Sequence, residues 1–202
     1  MLKRIYFNTE DQIELVGLLE TPEIHTNKVV ISIHGMQSNC LKQRETILSE
    51  NITKNGIAYF AFNNRGTEVI TYTKKTTGEK LLNGGVVYED VLDGYYDIKA
   101  AINKMLELGY TEIYLQGHSL GCTKIVYTYN KLKKENLFSI SEEHIVNQIK
   151  KNKKLRIADL ARLISLTYCS IPAFKVHSIV LCCFLTPFAC GFVKLARIGV
   201  AH

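Results

Sequence analysis

The 202-residue sequence has little that would commit it to several large classes of protein. Its start, Met1-Leu2-Lys3-Arg4-Ile5-Tyr6, runs into acidic and polar residues without the apolar block of a secretory signal, which predicts a cytoplasmic protein. The six cysteines lack the paired spacing with histidine that a zinc site needs. Cys40 and Cys122 stand alone, and Cys169, Cys182, Cys183 and Cys190 crowd the end, so the expectation is reduced, buried thiols and no metal. Basic residues are not interleaved with aromatics in any nucleic-acid reading pattern. The net charge of +6 is concentrated in residues 135–202, where nine Lys/Arg face four Asp/Glu. That leaves a nearly neutral body of 134 residues, and nucleic acid is set aside as a partner.

With 47% hydrophobic residues, the chain can build one sizeable core. Residues 1–134 alternate strand and helix patterns, as expected for α/β architecture with helices on both faces of a mostly parallel sheet. Lys3 to Asn8 and Ile13 to Glu20 alternate apolar and polar residues around a polar turn, predicting an antiparallel hairpin at one edge. Lys28 to Ile33 and Ile57 to Phe62 read as buried strands, with a helix at about Gln43 to Lys54 between them, ended by Asn55-Gly56. Residues 67–88 form a polar excursion, either a surface hairpin or an apolar entrance lined by Tyr72, Leu81, Leu82, Val86 and Val87. Asp90 to Leu108 carries a helical apolar stripe, with acids in its first turns where they suit the helix dipole. A strand over Thr111 to Gln116 and a helix over Leu120 to Lys134 complete the body.

Between these last two elements lies Gly117-His118-Ser119-Leu120-Gly121. A Gly-x-Ser-x-Gly turn between strand and helix exposes a serine hydroxyl at a sharp corner, with flanking glycines where side chains would clash. Acyl transfer needs such a nucleophile, a base to activate it and donors for the oxyanion. Ser119 is the candidate nucleophile, and the Leu120 N–H at the helix start is one candidate oxyanion donor. The second is the Met36 N–H, in the loop His34-Gly35-Met36 after the earlier buried strand; His34 is read as a brace for that loop.

The strand ending in His34-Gly35, the turn Asn64-Arg65-Gly66 and the Gly117–Gly121 pentapeptide together resemble the amino-terminal half of an α/β-hydrolase of the serine aminopeptidase and monoacylglycerol-lipase-like group. The resemblance covers residues 1–134, about two-thirds of the chain. It implies a serine hydrolase acting on a small-molecule acyl substrate through an acyl-enzyme, with no cofactor. Many relatives have Asp two positions before the Arg-Gly of the turn, where this chain has Asn63, so the hydrogen bonding of that turn is in question.

The carboxy-terminal segment, 135–202, departs from the pattern. The acid and base of such a site follow the serine in that order, which selects Asp159 as acid and His177 as base, with Glu135, Glu142, Glu143, His144 and His202 as alternatives. Ser139 and Glu142 form a candidate capping box before helix-like spacing from Ile145 to Ile164, broken by the basic run Lys150 to Lys154. Val176 to Val193 is an apolar block bordering on the length of a membrane span, but His177, Pro187 and Gly191 favour a strand over Ser178 to Leu185 or an apolar tail. Further strand and helix units are not evident, so the sheet is expected to be incomplete at this end. Two functions follow: an active serine esterase, or a truncated, weakly active or inactive remnant that contacts membranes through its tail.

Overall fold

The computed structural model describes residues 1–78, 81–135, 166–171 and 174–179, the last two segments and residues 133–134 by backbone alone. Nine strands among the described residues form one sheet: β1 (Leu2–Asn8), β2 (Ile13–Glu20), β3 (Lys28–Ile33), β4 (Ala58–Asn63), β5 (Thr71–Lys75), β6 (Leu81–Gly84), β7 (Glu112–Gly117), β8 (Leu166–Ile171) and β9 (Phe174–Ile179). Among the described residues three α-helices accompany them: α1 (Gln43–Lys54), α2 (Gly94–Glu107) and α3 (Leu120–Lys134). β4, β3, β7 and β9 are neighbours in that order and all parallel. The expected antiparallel pair β1–β2 lies at one side, with β2 also antiparallel to β4.

The strict alternation of strand side chains sorts the core into two layers. Val29, Ile31 and Ile33 of β3, with Phe60 and Phe62 of β4, face α2 and α3, where Ile98, Ile102, Met105, Ile125 and Leu132 meet them. Val30, Tyr59 and Ala61 point to the opposite face, against Leu48 and Ile52 of α1. Helices therefore cover both faces, as the strand and helix alternation predicts. The helix end expected at Gly56 is confirmed by its φ of +77°, and Gly109, with φ of +92°, follows α2 in the same way, a conformation that glycine adopts without steric cost.

Residues 67–88 contain the β5–β6 hairpin, which extends the sheet by pairing β5 with Ile13 and Glu14. Tyr72, Leu81 and Val87 are exposed on it. At the other side, β8 and β9 form an antiparallel pair, and β9 pairs in parallel with β7. β9 thus begins at Phe174, ahead of the apolar block and four residues before the expected Ser178, and β8 has no counterpart in the sequence reading. Two strands from the segment 135–202 therefore join the same sheet as the body. The helical pattern over 139–164 and the rest of the apolar block, residues 180–193, lie outside the described residues.

Candidate active site

β3 and β7 run side by side and end together, with Ile33 opposite Gly117. That register brings the loop after β3 against the turn after β7. The turn is sharp: Ser119 has φ +52°, a left-handed conformation that costs a non-glycine residue roughly 1–2 kcal/mol. Its side chain is exposed, and its hydroxyl has no hydrogen-bond partner among the described residues. The corner is held by backbone bonds from Gly121 N–H to His118 C=O, from Cys122 N–H to Ser119 C=O and from His118 N–H to Ile33 C=O.

Close packing explains the three glycines around it. A Cβ on Gly117 would come 2.8 Å from the Cys122 nitrogen, and one on Gly121 would sit 2.2 Å from the Ile33 carbonyl oxygen. A Cβ on Gly35 would lie 2.8 Å from the His118 carbonyl oxygen and 3.0 Å from the Ser119 Cβ. The loop carrying Met36 is thus in direct contact with the serine turn. Neither the Met36 nor the Leu120 N–H has a hydrogen-bond partner among the described residues.

The loop itself is braced from behind, and His34 is the centre of that brace. Its ring is 1% exposed; Nε2 accepts the Asn64 N–H at 3.2 Å and lies 3.0 Å from the Thr67 hydroxyl, and Nδ1 lies 2.8 Å from the Gly35 carbonyl. An Nε2 that accepts a backbone N–H assigns the proton to Nδ1, which then donates to Gly35. Burial lowers the pKa of His34 to about 4, keeping it neutral; the Gly35 carbonyl opposes the shift. The Asn63 question resolves simply: its Oδ1 accepts the Cys40 N–H at 2.8 Å, an acceptor role that an amide fills as well as a carboxylate.

Buried charges stand around the site where the sequence reading saw only turn and surface residues. Arg65 is 9% exposed and is held by three carboxylates. Asp97 accepts from its Nε at 2.9 Å and Nη2 at 2.8 Å, Asp11 accepts from Nη1 at 2.9 Å, and Asp93 lies at 3.3 Å. Burial alone would lower the pKa of Arg65, but Asp97 and Asp11 outweigh it and raise it. Asp97, expected to serve the dipole of α2, is fully buried and also accepts the Arg65 N–H. Glu45 of α1 is buried on the other face, where Tyr59 and Ser32 donate to it at 2.6 and 2.7 Å and Arg44 pairs with it. His118 has its pKa lowered by burial and by Arg44, with Glu45 opposing. Lys124 of α3 is 1% exposed and pairs with the equally buried side chain of Glu89.

Of the expected acid and base, only His177 falls among the described residues, and there by backbone alone. Asp159 lies outside them. His177 lies in β9, opposite Tyr114 in register, three positions before the end of β7 at Gly117. Among the described residues no group of His, Cys, Asp and Glu could hold a metal ion. No helix among them is long and apolar enough to cross a membrane.

Solved structures share this fold over part of their length. An Est1E structure from Butyrivibrio proteoclasticus, described with bound ferulic acid, matches with a TM-score of 0.51 and 19% identity, over 64% of this chain and 48% of that one. The esterase Pf2001 of Pyrococcus furiosus matches with a TM-score of 0.50 and 23% identity, over 66% of this chain and 48% of that one. DcsB, in complex with its substrate analogue, matches with a TM-score of 0.51 and 14% identity, over 64% and 41%. The chain has the α/β-hydrolase fold. The match spans about half the length of these structures or less. No family profile and no curated protein matches the sequence.

Proposed function

We propose that this α/β-hydrolase-fold protein is a serine hydrolase of the serine aminopeptidase and monoacylglycerol-lipase-like group, acting on a carboxylic ester or related acyl substrate. The observation that carries this reading is the left-handed, exposed Ser119 at the β7–α3 corner, packed against the glycine of the loop after β3. Such strain persists only where surrounding structure enforces it, and it clusters at functional positions.

In this reading the Ser119 oxygen attacks the acyl carbonyl while a base takes its proton, and the Met36 and Leu120 N–H groups receive the oxyanion. The alcohol leaves with that proton, giving an ester on Ser119. Water then attacks this acyl-enzyme and releases the carboxylic acid and free serine. The base assigned from chain order is His177, with Asp159 as its acid, acting in the cytoplasm without metal or organic cofactor.

A second reading, a hydrolase-fold protein of weak or no catalysis that touches membranes through its tail, draws on the excess of nine Lys/Arg over four Asp/Glu and on the apolar block in residues 135–202. Hydrolysis of short p-nitrophenyl esters separates the two. The first reading requires turnover that disappears in Ser119→Ala and falls at least a hundredfold in His177→Ala. Equal rates for the parent and Ser119→Ala reject it.

A further inference from the structure

The pair Lys124–Glu89 has no place in the reaction just described, yet it is built with care. Both side chains are 1% exposed. Room for them is made by glycines: a Cβ on Gly94 would meet the Lys124 stem at 3.0 Å, and one on Gly66 would lie 2.0 Å from the Glu89 carboxylate. Lys124 pairs with Glu89 Oε1, and Oε2 has no hydrogen-bond partner among the described residues. Replacing a buried ion pair by apolar residues of similar size is often neutral or stabilising, so stability alone does not account for this one.

Its connections supply an alternative account. Lys124 Nζ also donates to Asn64 Oδ1 at 3.2 Å, and the Gly66 N–H donates to the same oxygen at 3.1 Å. With Oδ1 fixed by two donors, the Asn64 amide must turn its Nδ2 the other way, where it donates to the His34 carbonyl at 3.4 Å. The Asn64 N–H meanwhile donates to His34 Nε2, and His34 Nδ1 donates to Gly35. Lys124 thus reaches the peptide groups that aim the Met36 N–H, and it does so from α3, the helix whose first residue is Leu120.

We propose that Lys124 is a positioning residue that, through Asn64 and His34, sets the Met36 half of the oxyanion site relative to the Leu120 half, with Glu89 as its buried counter-ion. The proposal rests on the serine-hydrolase reading for its catalytic consequence and on geometry alone for its structural one. Both are testable in Lys124→Met, Glu89→Met and the double variant, each compared with the full-length parent. The single variants leave one buried charge unpaired and lower the melting temperature; the double variant recovers most of that loss.

Recovery of stability does not restore the amide orientation. In the double variant, hydrogen exchange of residues 34–38 accelerates at least tenfold while α1 in the same molecules is unchanged. Loss of a well-placed oxyanion donor costs about 10²–10³-fold in kcat, so a displaced one costs about 10- to 100-fold, with KM for p-nitrophenyl acetate within about twofold. Parent-like exchange of residues 34–38 in the double variant overturns the proposal, as does a kcat that recovers together with the melting temperature. A parent that is itself inert rejects the hydrolase reading, and the exchange measurement then decides the structural role of Lys124 on its own.

Discussion

Replacing Gly121 by alanine probes how closely the serine turn is pressed onto the sheet. The added methyl would lie 2.2 Å from the Ile33 carbonyl oxygen and 2.9 Å from that of His34. An ordinary carbon-to-oxygen contact is about 3.3–3.6 Å, so roughly 1 Å must be found by moving backbone. β3 is hydrogen-bonded on both sides, by β4 and β7, and is the less able to yield. The start of α3 must therefore lift away, carrying the Leu120 N–H from the Met36 loop.

Overpacking of this kind costs about 1–3 kcal/mol, and a clash with backbone belongs at the upper end. At about 2–4 °C per kcal/mol for a chain of this size, thermal unfolding should fall by about 6–12 °C. Gly56→Ala is the control: it meets nothing within 4 Å, and only its φ of +77° opposes the change. That cost is about 1–2 kcal/mol, with no effect on the site. Differential scanning calorimetry with p-nitrophenyl ester hydrolysis reads both quantities. Gly121→Ala melting within 2 °C of the parent at full rate would refute the close packing of turn on strand.

Ser119→Gly should abolish turnover yet stabilise the fold by about 0.5–1 kcal/mol, because glycine relieves the left-handed strain; a lowered denaturation midpoint contradicts this. Asp97→Asn should cost about 3 kcal/mol in urea unfolding, since it uncouples the buried Arg65 from its main partner; a loss under 1 kcal/mol would show that Asp11 and Asp93 suffice. His34 is neutral in the fold to a pKa of about 4, against 6.5 unfolded, so the unfolded chain binds its proton first as pH falls. The stability it contributes is complete above pH 6.5 and is lost by about 3 kcal/mol on descending to pH 4. The denaturation midpoint of His34→Gln should therefore be less pH-dependent than the parent's in that window, and parallel curves would contradict the assignment.

How much of this was legible in the sequence depended on which force set each feature. The bounds of β2, β3, α1 and α3 follow the periodic burial of apolar residues and the breaks at Gly56 and Gly109. The serine corner was readable because its glycines answer a local steric demand. The buried charges were not. Lys124 follows Thr123 and precedes Ile125 in α3, where a lysine reads as surface; its burial is set by Glu89, distant in sequence, and by space left at Gly94. Asp97 sat among acids that fit the start of α2 equally well, and only the return of the chain through Arg65 decides its place. Glu45 was hidden for the same reason, since Ser32 and Tyr59 reach it from two different strands.

The central claim is that Ser119 is an activated nucleophile. Its most direct test is the intact mass of the purified chain after exposure to a fluorophosphonate. One phosphonyl adduct on the parent and none on Ser119→Ala is the predicted result. An unmodified parent, under conditions that fully label a control serine hydrolase, contradicts it.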